Sequence, residues 1–460
     1  MTAKNRIYAF FIALALLFWN PVSFYALYAS TPAFASATLH FFYWAVCIAG
    51  ALSIVLVMKN KTSERVNNIL LACAYAGIFF AVLVVIDRVV PVPRAGEGLI
   101  FQPQTRVRYH TTEFDFTAEI NSLGFRDRAV AVDKGGKFRV VCVGDSFTFG
   151  WGVSVENSWP KKLETYLAGR GYKNIEVLNL GQPGQCTATY KKIIAKAVPL
   201  LKPDLVLVGV LEGDDLVQLY EDNYRARHPN PNGSFWNTLS GKAHAAARLY
   251  LAASFKNVMS RLKQNMSRPV EVQLIWKRQA TARINAFNDL QRINFSTWDS
   301  SVQELFRGGN LNPALLSYYM DFPLHEMIFN DLRHPATQWA ARTMDQDFQE
   351  MKKMCDTHGA RLVFVNIPDN FFIGHLVMRN PSDSVLAEYL EKNNRIGEIY
   401  RSIAAAHALV YIELIEHFRR LPDKTAYFFR YDGHPNETGY QEIADYIGAR
   451  LLEKNIIPKE

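Results

Sequence analysis

The stretch that most constrains this chain runs from Phe138 to Gly152 and reads FRVVCVGDSFTFGWG. Residues 138–143 are short, mostly apolar and rich in valine, which predicts a buried strand. Gly144 breaks that strand and allows a sharp turn. Ser146 then falls just past the strand's carboxyl end, where ligands bind in open α/β sheets. A serine there is either a turn residue or a nucleophile. Gly-Asp-Ser alone is ordinary turn chemistry.

The neighbouring segments extend the pattern. Residues 158–167 predict a helix, 175–180 a second strand, 189–201 a helix closed by Pro203, and 204–210 a third strand. Strands alternating with helices of this length indicate a parallel, doubly wound α/β sheet. Between about 216 and 333 the alternation stops. Within that insertion, 244–262 is an amphipathic helix candidate and 270–276 a strand candidate. An insertion this long after a strand forms either a lid or binding surface or a passive packing domain. The alternation resumes with a helix over 336–357, a fourth strand over 361–367, mostly helix over 383–406 and a fifth strand over 409–412. The last helix runs over 437–452 with Asn436 as its cap. Ahead of the first strand, 91–98 is a Pro/Gly-containing linker. Residues 106–126 form an extended lead-in with a turn.

Three long apolar stretches precede Val90: 7–29, 38–58 and 69–86. None holds a Lys, Arg, Asp or Glu. Each approaches or exceeds the roughly 18 residues that mark a membrane-spanning helix. A helix of a soluble core would show a polar face. Ala33-Phe34-Ala35 looks like a signal cleavage site, but the first apolar core is longer than a signal's, which favours an uncleaved anchor. Asn20-Pro21 predicts a kink within it. Lys4 and Arg6 precede the first stretch, and Lys59, Lys61 and Arg65 sit between the second and third. The excess of positive charge inside then places everything after Val90 outside the cytoplasm. This divides the chain into a membrane anchor (1–90), a linker and lead-in (91–137) and an α/β domain (138–460) with the insertion at about 216–333.

The net charge is +8, and residues 1–90 carry six Lys/Arg and two acids, half of that excess. What remains is too little for a nucleic-acid face. The five cysteines are scattered singly, with no disulfide framework or zinc spacing. Trp151, Trp159 and Tyr190 read as core or cleft aromatics. His325 and His334 lack ligand spacing and read as surface or lid residues.

The far end of the chain changes the reading of Ser146. Asp432-Gly433-His434 lies on a loop before the final helix. A serine nucleophile needs a base to take its proton, usually a histidine held by a carboxylate. The Gly-x-Ser-x-Gly elbow is not met, because Thr148 stands at its fifth position. Neither Gly-x-Gly-x-x-Gly nor Gly-Lys-Ser/Thr is present.

Taken together, the chain resembles the SGNH, or GDSL-like, hydrolases, as a membrane-anchored member. Four places carry the resemblance. Gly144-Asp145-Ser146-Phe147-Thr148 matches the nucleophile block. Asn179-Leu180-Gly181-Gln182-Pro183-Gly184 places Gly181 at the oxyanion glycine. Gly213-Asp214-Asp215 stands where the family has Gly-x-Asn-Asp or similar. Asp432-Gly433-His434-Pro435-Asn436 matches the Asp/His block. Asn121 to Arg126 also looks like the lead-in of membrane-linked members. The covered parts are roughly 121–222 and 334–452. The resemblance implies a flavodoxin-like sheet and ester hydrolysis or acyl transfer with no metal or cofactor. Ser146 would attack an acyl carbonyl, His434 would take its proton and Asp432 would orient the imidazole. The backbone N–H groups of Ser146 and Gly181 would face the oxyanion.

The third block departs from the family. Asp214 stands where an asparagine should donate, and an ionised carboxylate only accepts. Either Asp214 is protonated, or the hole has two donors, or Gln218 or Asn223 substitutes, or the register differs. The expected function is a membrane-anchored serine esterase or deacylase acting outside the cytoplasm on an acylated glycan or lipid. The alternatives are an O-acyltransferase for a surface polysaccharide and a non-catalytic scaffold of the same fold.

Overall fold

The computed structural model describes residues 3–18, 37–59, 61–75, 98–227, 270–316, 320, 328–373, 388 and 392–458. The chain divides into two compact units, Met1–Arg94 and Ala95–Glu460. The described strands, all in the second unit, are β1 (Arg106–His110), β2 (Asp115–Glu119), β3 (Phe138–Gly144), β4 (Ile175–Gly181), β5 (Leu205–Leu211), β6 (Val270–Glu271), β7 (Arg361–Ile367) and β8 (Val410–Glu413).

The main sheet has the order β4-β3-β5-β7-β8, and every pair is parallel. Counted along this sheet alone, that is 2-1-3-4-5, the flavodoxin-like order, with its switch point at β3. The sequence makes such a sheet because its strands are apolar on both faces, as a sheet covered by helices requires. Val141, Val143, Leu178, Leu180, Val206 and Val208 point into one layer with the helices Thr187–Leu201 and Pro335–Thr357. Val140, Cys142, Val177, Leu205, Leu207 and Val363 point into the other with Trp159–Ala168 and Glu437–Glu453. Each fully buried Val or Leu contributes on the order of 1.5–3 kcal/mol, so this alternation fixes register strongly.

Around the sheet, β1 and β2 form an antiparallel hairpin, and β6 adds to it for two residues, parallel to β1. The extended lead-in is a hairpin, and the turn expected at 121–126 follows it, with the Gly124 N–H donating to Asn121 O at 3.1 Å. The strand expected over 270–276 is thus mostly absent. From Gln273 the chain is helix to Asn285, because Gln-Leu-Ile-Trp-Lys-Arg-Gln-Ala carries more helix formers than strand formers. The helix expected over 383–406 is described as helix over Ile396–Ala406. Residues 393–395 are not helical, and the Asn394 side chain accepts the Gly397 N–H at 3.1 Å, which starts the helix there. The helix candidate over 244–262 lies outside the described residues, as do Asn20-Pro21, His325 and most of the linker. In the insertion, Phe287, Phe295, Trp298, Phe306 and Leu316 join the core layer that holds Tyr190 and Phe348. Its described part therefore packs against the domain.

In the first unit, helices cover Ala3–Phe18, Ala37–Met58 and residues 64–75, with side chains of the second described from Cys47 onward. Among the described residues no helix is long and apolar enough to cross a membrane. Tyr8, Ile12, Val57 and Ala74 form a small buried apolar cluster in this unit. Ile7, Phe10, Leu52 and Ile69 are exposed, while Asn5 and Asn67 are buried. Asn5 Nδ2 donates to Val57 O at 3.1 Å, and Tyr8 Oη donates to Asn68 Oδ1 at 2.7 Å.

Candidate active site

Ser146 opens a one-turn helix, Ser146–Phe149, directly after β3. Two residues make that turn. Asp145 caps it, its Oδ1 accepting the Phe147 N–H at 2.9 Å. Gly144 lies so close to the adjacent strand that a Cβ would sit 2.6 Å from Gly209 O and 2.2 Å from Thr148 Oγ1. The lead-in holds the far side of the turn. The buried Arg126 guanidinium donates to the carbonyls of Phe149 (2.8 Å), Gly150 (2.8 Å) and Val153 (2.6 Å). Burial pulls its pKa down to about 10, and the rings of Phe116 and Phe149 face it at 5.0 and 4.6 Å.

His434 and Asp432 reach Ser146 from the loop before the final helix. Phe429 N–H donates to His434 O at 2.8 Å, and Gly433 N–H donates to Phe429 O at 3.1 Å, closing a tight turn with Gly433 at φ +83°. Asn436 caps the following helix by accepting from Thr438 and Gly439. The turn brings three residues together across 288 positions of sequence. Ser146 Oγ–H donates to His434 Nε2 at 2.7 Å. His434 Nδ1–H donates to Asp432 Oδ1 at 2.5 Å. That tautomer is the one the buried carboxylate requires, since it only accepts. Trp151 Nε1–H reaches the other oxygen, Asp432 Oδ2, at 3.4 Å. Trp151 is itself set by Tyr440 Oη–H, which donates to its carbonyl at 3.0 Å. Burial lowers the His434 pKa, but Asp432, then Asp145 and Asp369, outweigh it, and the net direction is upward. An imidazolium formed there is stabilised.

The Gly181 amide, expected to face the oxyanion, has a side-chain partner. The Gly181 N–H donates to Asn179 Oδ1 at 3.0 Å. Gly181 is buried at the end of β4, in register with Gly144, and a Cβ there would meet Phe149 N at 2.1 Å. Its glycine is needed for close packing under the nucleophile turn, and its amide is engaged. Gly184, three residues later, is exposed at φ +67° with open space around it.

Asp214 lies where the strand order and loop predicted, just after β5, as the first residue of the helix Asp214–Arg227. Its Oδ2 accepts from Gln218 Nε2 at 2.7 Å. Burial, followed by the charges of Asp145 and Asp369, pushes its pKa up to about 8. Gln218 thus donates to Asp214, and the Asn223 side chain lies outside the described residues. Asp145 is likewise raised by burial, to about 6, against the pull of His434. A carboxyl so raised keeps its proton to higher pH than usual, and while protonated it can donate one hydrogen bond.

Trp159 and Tyr190 are fully buried core. The His334 ring accepts the Ala336 N–H at 3.2 Å as a helix cap. Sequence reasoning missed Glu113, whose carboxylate reaches the Asp432 loop, and Asp369, which follows β7. A carboxyl residue past a strand end was the available signal for Asp369. Glu113 carried none. Among the described residues no group of His, Cys, Asp or Glu could hold a metal ion.

No family model matches the chain, and no curated protein matches it. Among solved structures it is similar to TesA, at 12% identity, covering 68% of this chain and 97% of that one, with a TM-score of 0.32. It is also similar to a lipase/acylhydrolase from Enterococcus faecalis (14% identity, 70% and 98% covered, TM-score 0.32) and to the acetyl xylan esterase AlAXEase (13%, 68% and 99%, 0.33). At such identities and scores, the functional reading rests on the site's own geometry.

Proposed function

We propose that this chain is a serine esterase or deacylase of the SGNH type. The observation that carries the reading is the relay Ser146 Oγ–His434–Asp432 at 2.7 and 2.5 Å. Ser146 Oγ attacks an acyl carbonyl while its proton passes to His434 Nε2. Asp432 holds the imidazole and stabilises the imidazolium. The tetrahedral intermediate collapses as His434 returns the proton to the leaving alcohol, leaving an acyl-enzyme on Ser146. Water, deprotonated by His434, then releases the acid and restores the serine. Each step needs only a base of raised pKa within hydrogen-bond reach.

The oxyanion faces the Ser146 N–H at the start of its short helix. Asp214, protonated, supplies a second donor below about pH 8. A donor set of this kind is intact at neutral pH and weakened in alkali.

The proposed setting is a membrane, with the catalytic domain outside the cytoplasm and an acylated surface glycan or lipid as substrate. Two observations support it: the three uncharged stretches before Val90 and the exposed apolar side chains Ile7, Phe10, Leu52 and Ile69 of the first unit. Exposed apolar side chains are what a lipid solvent favours. Acyl transfer uses the same residues and differs in excluding water from the acyl-enzyme.

Two measurements test the proposal. The full chain in detergent should turn over a short-chain aryl ester, and Ser146→Ala should not; equal turnover by both removes the nucleophile. A phosphatase fused after Glu97 should be active in cells, and one fused near Lys61 inactive. The reverse pattern overturns the orientation.

A further inference from the structure

We propose that Glu113 is a positioning residue for the relay: its carboxylate, on the hairpin outside the main sheet, sets the loop that carries Asp432. The role rests on the hydrolase reading given above.

Glu113 stands at the tip between β1 and β2. Thr111 shapes that tip. Its N–H donates to Phe114 O at 2.9 Å, and its Oγ1 accepts the N–H groups of Glu113 and Phe114, both at 3.1 Å. The Glu113 side chain then crosses to the relay loop. Oε1 accepts the Tyr431 N–H at 2.9 Å, and Oε2 accepts the Asp432 N–H at 2.8 Å. The same carboxylate faces the Arg430 N–H. Consecutive backbone donors on one carboxylate make a two-point clamp, and charge-assisted bonds of this kind are roughly twice as strong as neutral ones.

Both ends of the clamp are fixed. Phe114 and Phe116 pack with Phe149, Trp151 and Trp276 in one cluster, with Phe429 against it. The rings of Phe114 and Phe429 lie 5.2 Å apart. The hairpin therefore cannot drift without moving both the Trp151 indole and the loop. At the other end, the clamped residue is Asp432 itself, whose Oδ1 holds His434. A carboxylate on a separate element thus determines where the relay carboxylate stands, through its backbone. Glu113 touches neither His434 nor Ser146 in this arrangement, so it acts through Asp432.

The chemistry sets the size of the effect. A displacement of about 1 Å at a reacting group costs on the order of 100-fold in rate. Glu113→Gln keeps one accepting oxygen and turns an N–H toward the second backbone donor. Glu113→Ala removes both acceptors. With a small soluble aryl ester, kcat should fall about 10-fold in Glu113→Gln and about 100-fold in Glu113→Ala, with KM nearly unchanged. A second readout follows from the imidazole. His434 is faced by Asp432 on its own loop, Asp145 before Ser146 and Asp369 after β7, all of which raise its pKa. Loosening Asp432 removes the largest of these, so the acidic limb of kcat/KM should move to lower pH.

The experiment uses the full chain, with Asp115→Asn as a control on the same hairpin. Asp115 is exposed and pairs with Arg108, so its variant should keep kcat and the acidic limb. Unchanged kcat in Glu113→Ala overturns the proposal. So does an equal fall in Asp115→Asn and Glu113→Ala that tracks lost melting temperature with a fixed acidic limb, since that assigns Glu113 to hairpin folding. A parent chain that does not turn over the ester overturns the hydrolase reading first and this role with it.

Discussion

On one side of Ser146, side chains from two distant loops meet at 2.7 and 2.5 Å and complete a proton relay. Elsewhere in the domain, the Gly181 N–H is bonded to Asn179, and Asp214, expected to be an oxyanion donor, opens the helix after β5 with its carboxyl accepting from Gln218. The first half is built from side chains whose identity sets their chemistry. The second is built from backbone groups whose direction depends on how each strand ends. Serine, histidine and aspartate announce themselves in a sequence. A usable N–H does not, because any non-proline residue has one.

The difference can be broken most sharply from the relay side. Ser146→Ala or His434→Ala should cost on the order of 10⁴–10⁶ in kcat on an aryl ester, as removal of a relay member does elsewhere. Residual activity within ten-fold of the parent would mean that the contacts at 2.7 and 2.5 Å are not the working ones. Asp432→Asn keeps the shape and loses the charge that holds the Nδ1 proton, and should cost on the order of 10⁴.

The donor side gives the next effect, and it depends on pH. In the proposed donor set the Asp214 carboxyl, raised to about 8, would donate while protonated and repel the oxyanion once ionised. Activity should therefore fall as pH rises through about 8. Asp214→Asn donates at every pH and should remove that fall, gaining up to the order of 100-fold in strong alkali, the worth of one donor. An Asp214→Asn protein slower than the parent at every pH, with its fold intact, gives Asp214 another task.

The smallest effect concerns stability. Glu212 is buried one residue past β5, accepts from Asn366 Nδ2, and has its pKa pushed up to about 7 by desolvation. The sign follows from proton counts. Between the ordinary value of 4.5 and about 7 the native state holds a proton that the unfolded chain has released. Stability from this group is therefore present at low pH and lost as pH climbs through that window. Glu212→Gln should raise the melting temperature by about 2 °C at pH 8 and change nothing at pH 4. A gain at both pH values would come from packing.

The same contrast explains what the sequence disclosed. Five parallel strands were legible because valine and leucine runs such as Val140–Val143 and Leu205–Val208 are short, apolar and bounded by turns. The relay was legible because three chemically specific side chains lay on loops at strand ends. The order of the strands came with the family resemblance. The strand expected over 270–276 failed because a short apolar run reads alike for strand and helix, and only a two-residue stretch beside β1 was there to pair. Gly181 is ambiguous in the sequence because a glycine needed for close packing looks like a glycine needed for an exposed amide. Glu113 was invisible because its partners are backbone N–H groups more than 300 residues away.

In the proposed mechanism His434 and Asp432 activate Ser146. Fluorophosphonate treatment of the full chain, followed by peptide mass spectrometry, tests it most directly. One covalent adduct should form, on Ser146, fast in the parent and not in His434→Ala at the same pH. No adduct, or an adduct on Ser146 that forms at the same rate without His434, would contradict it.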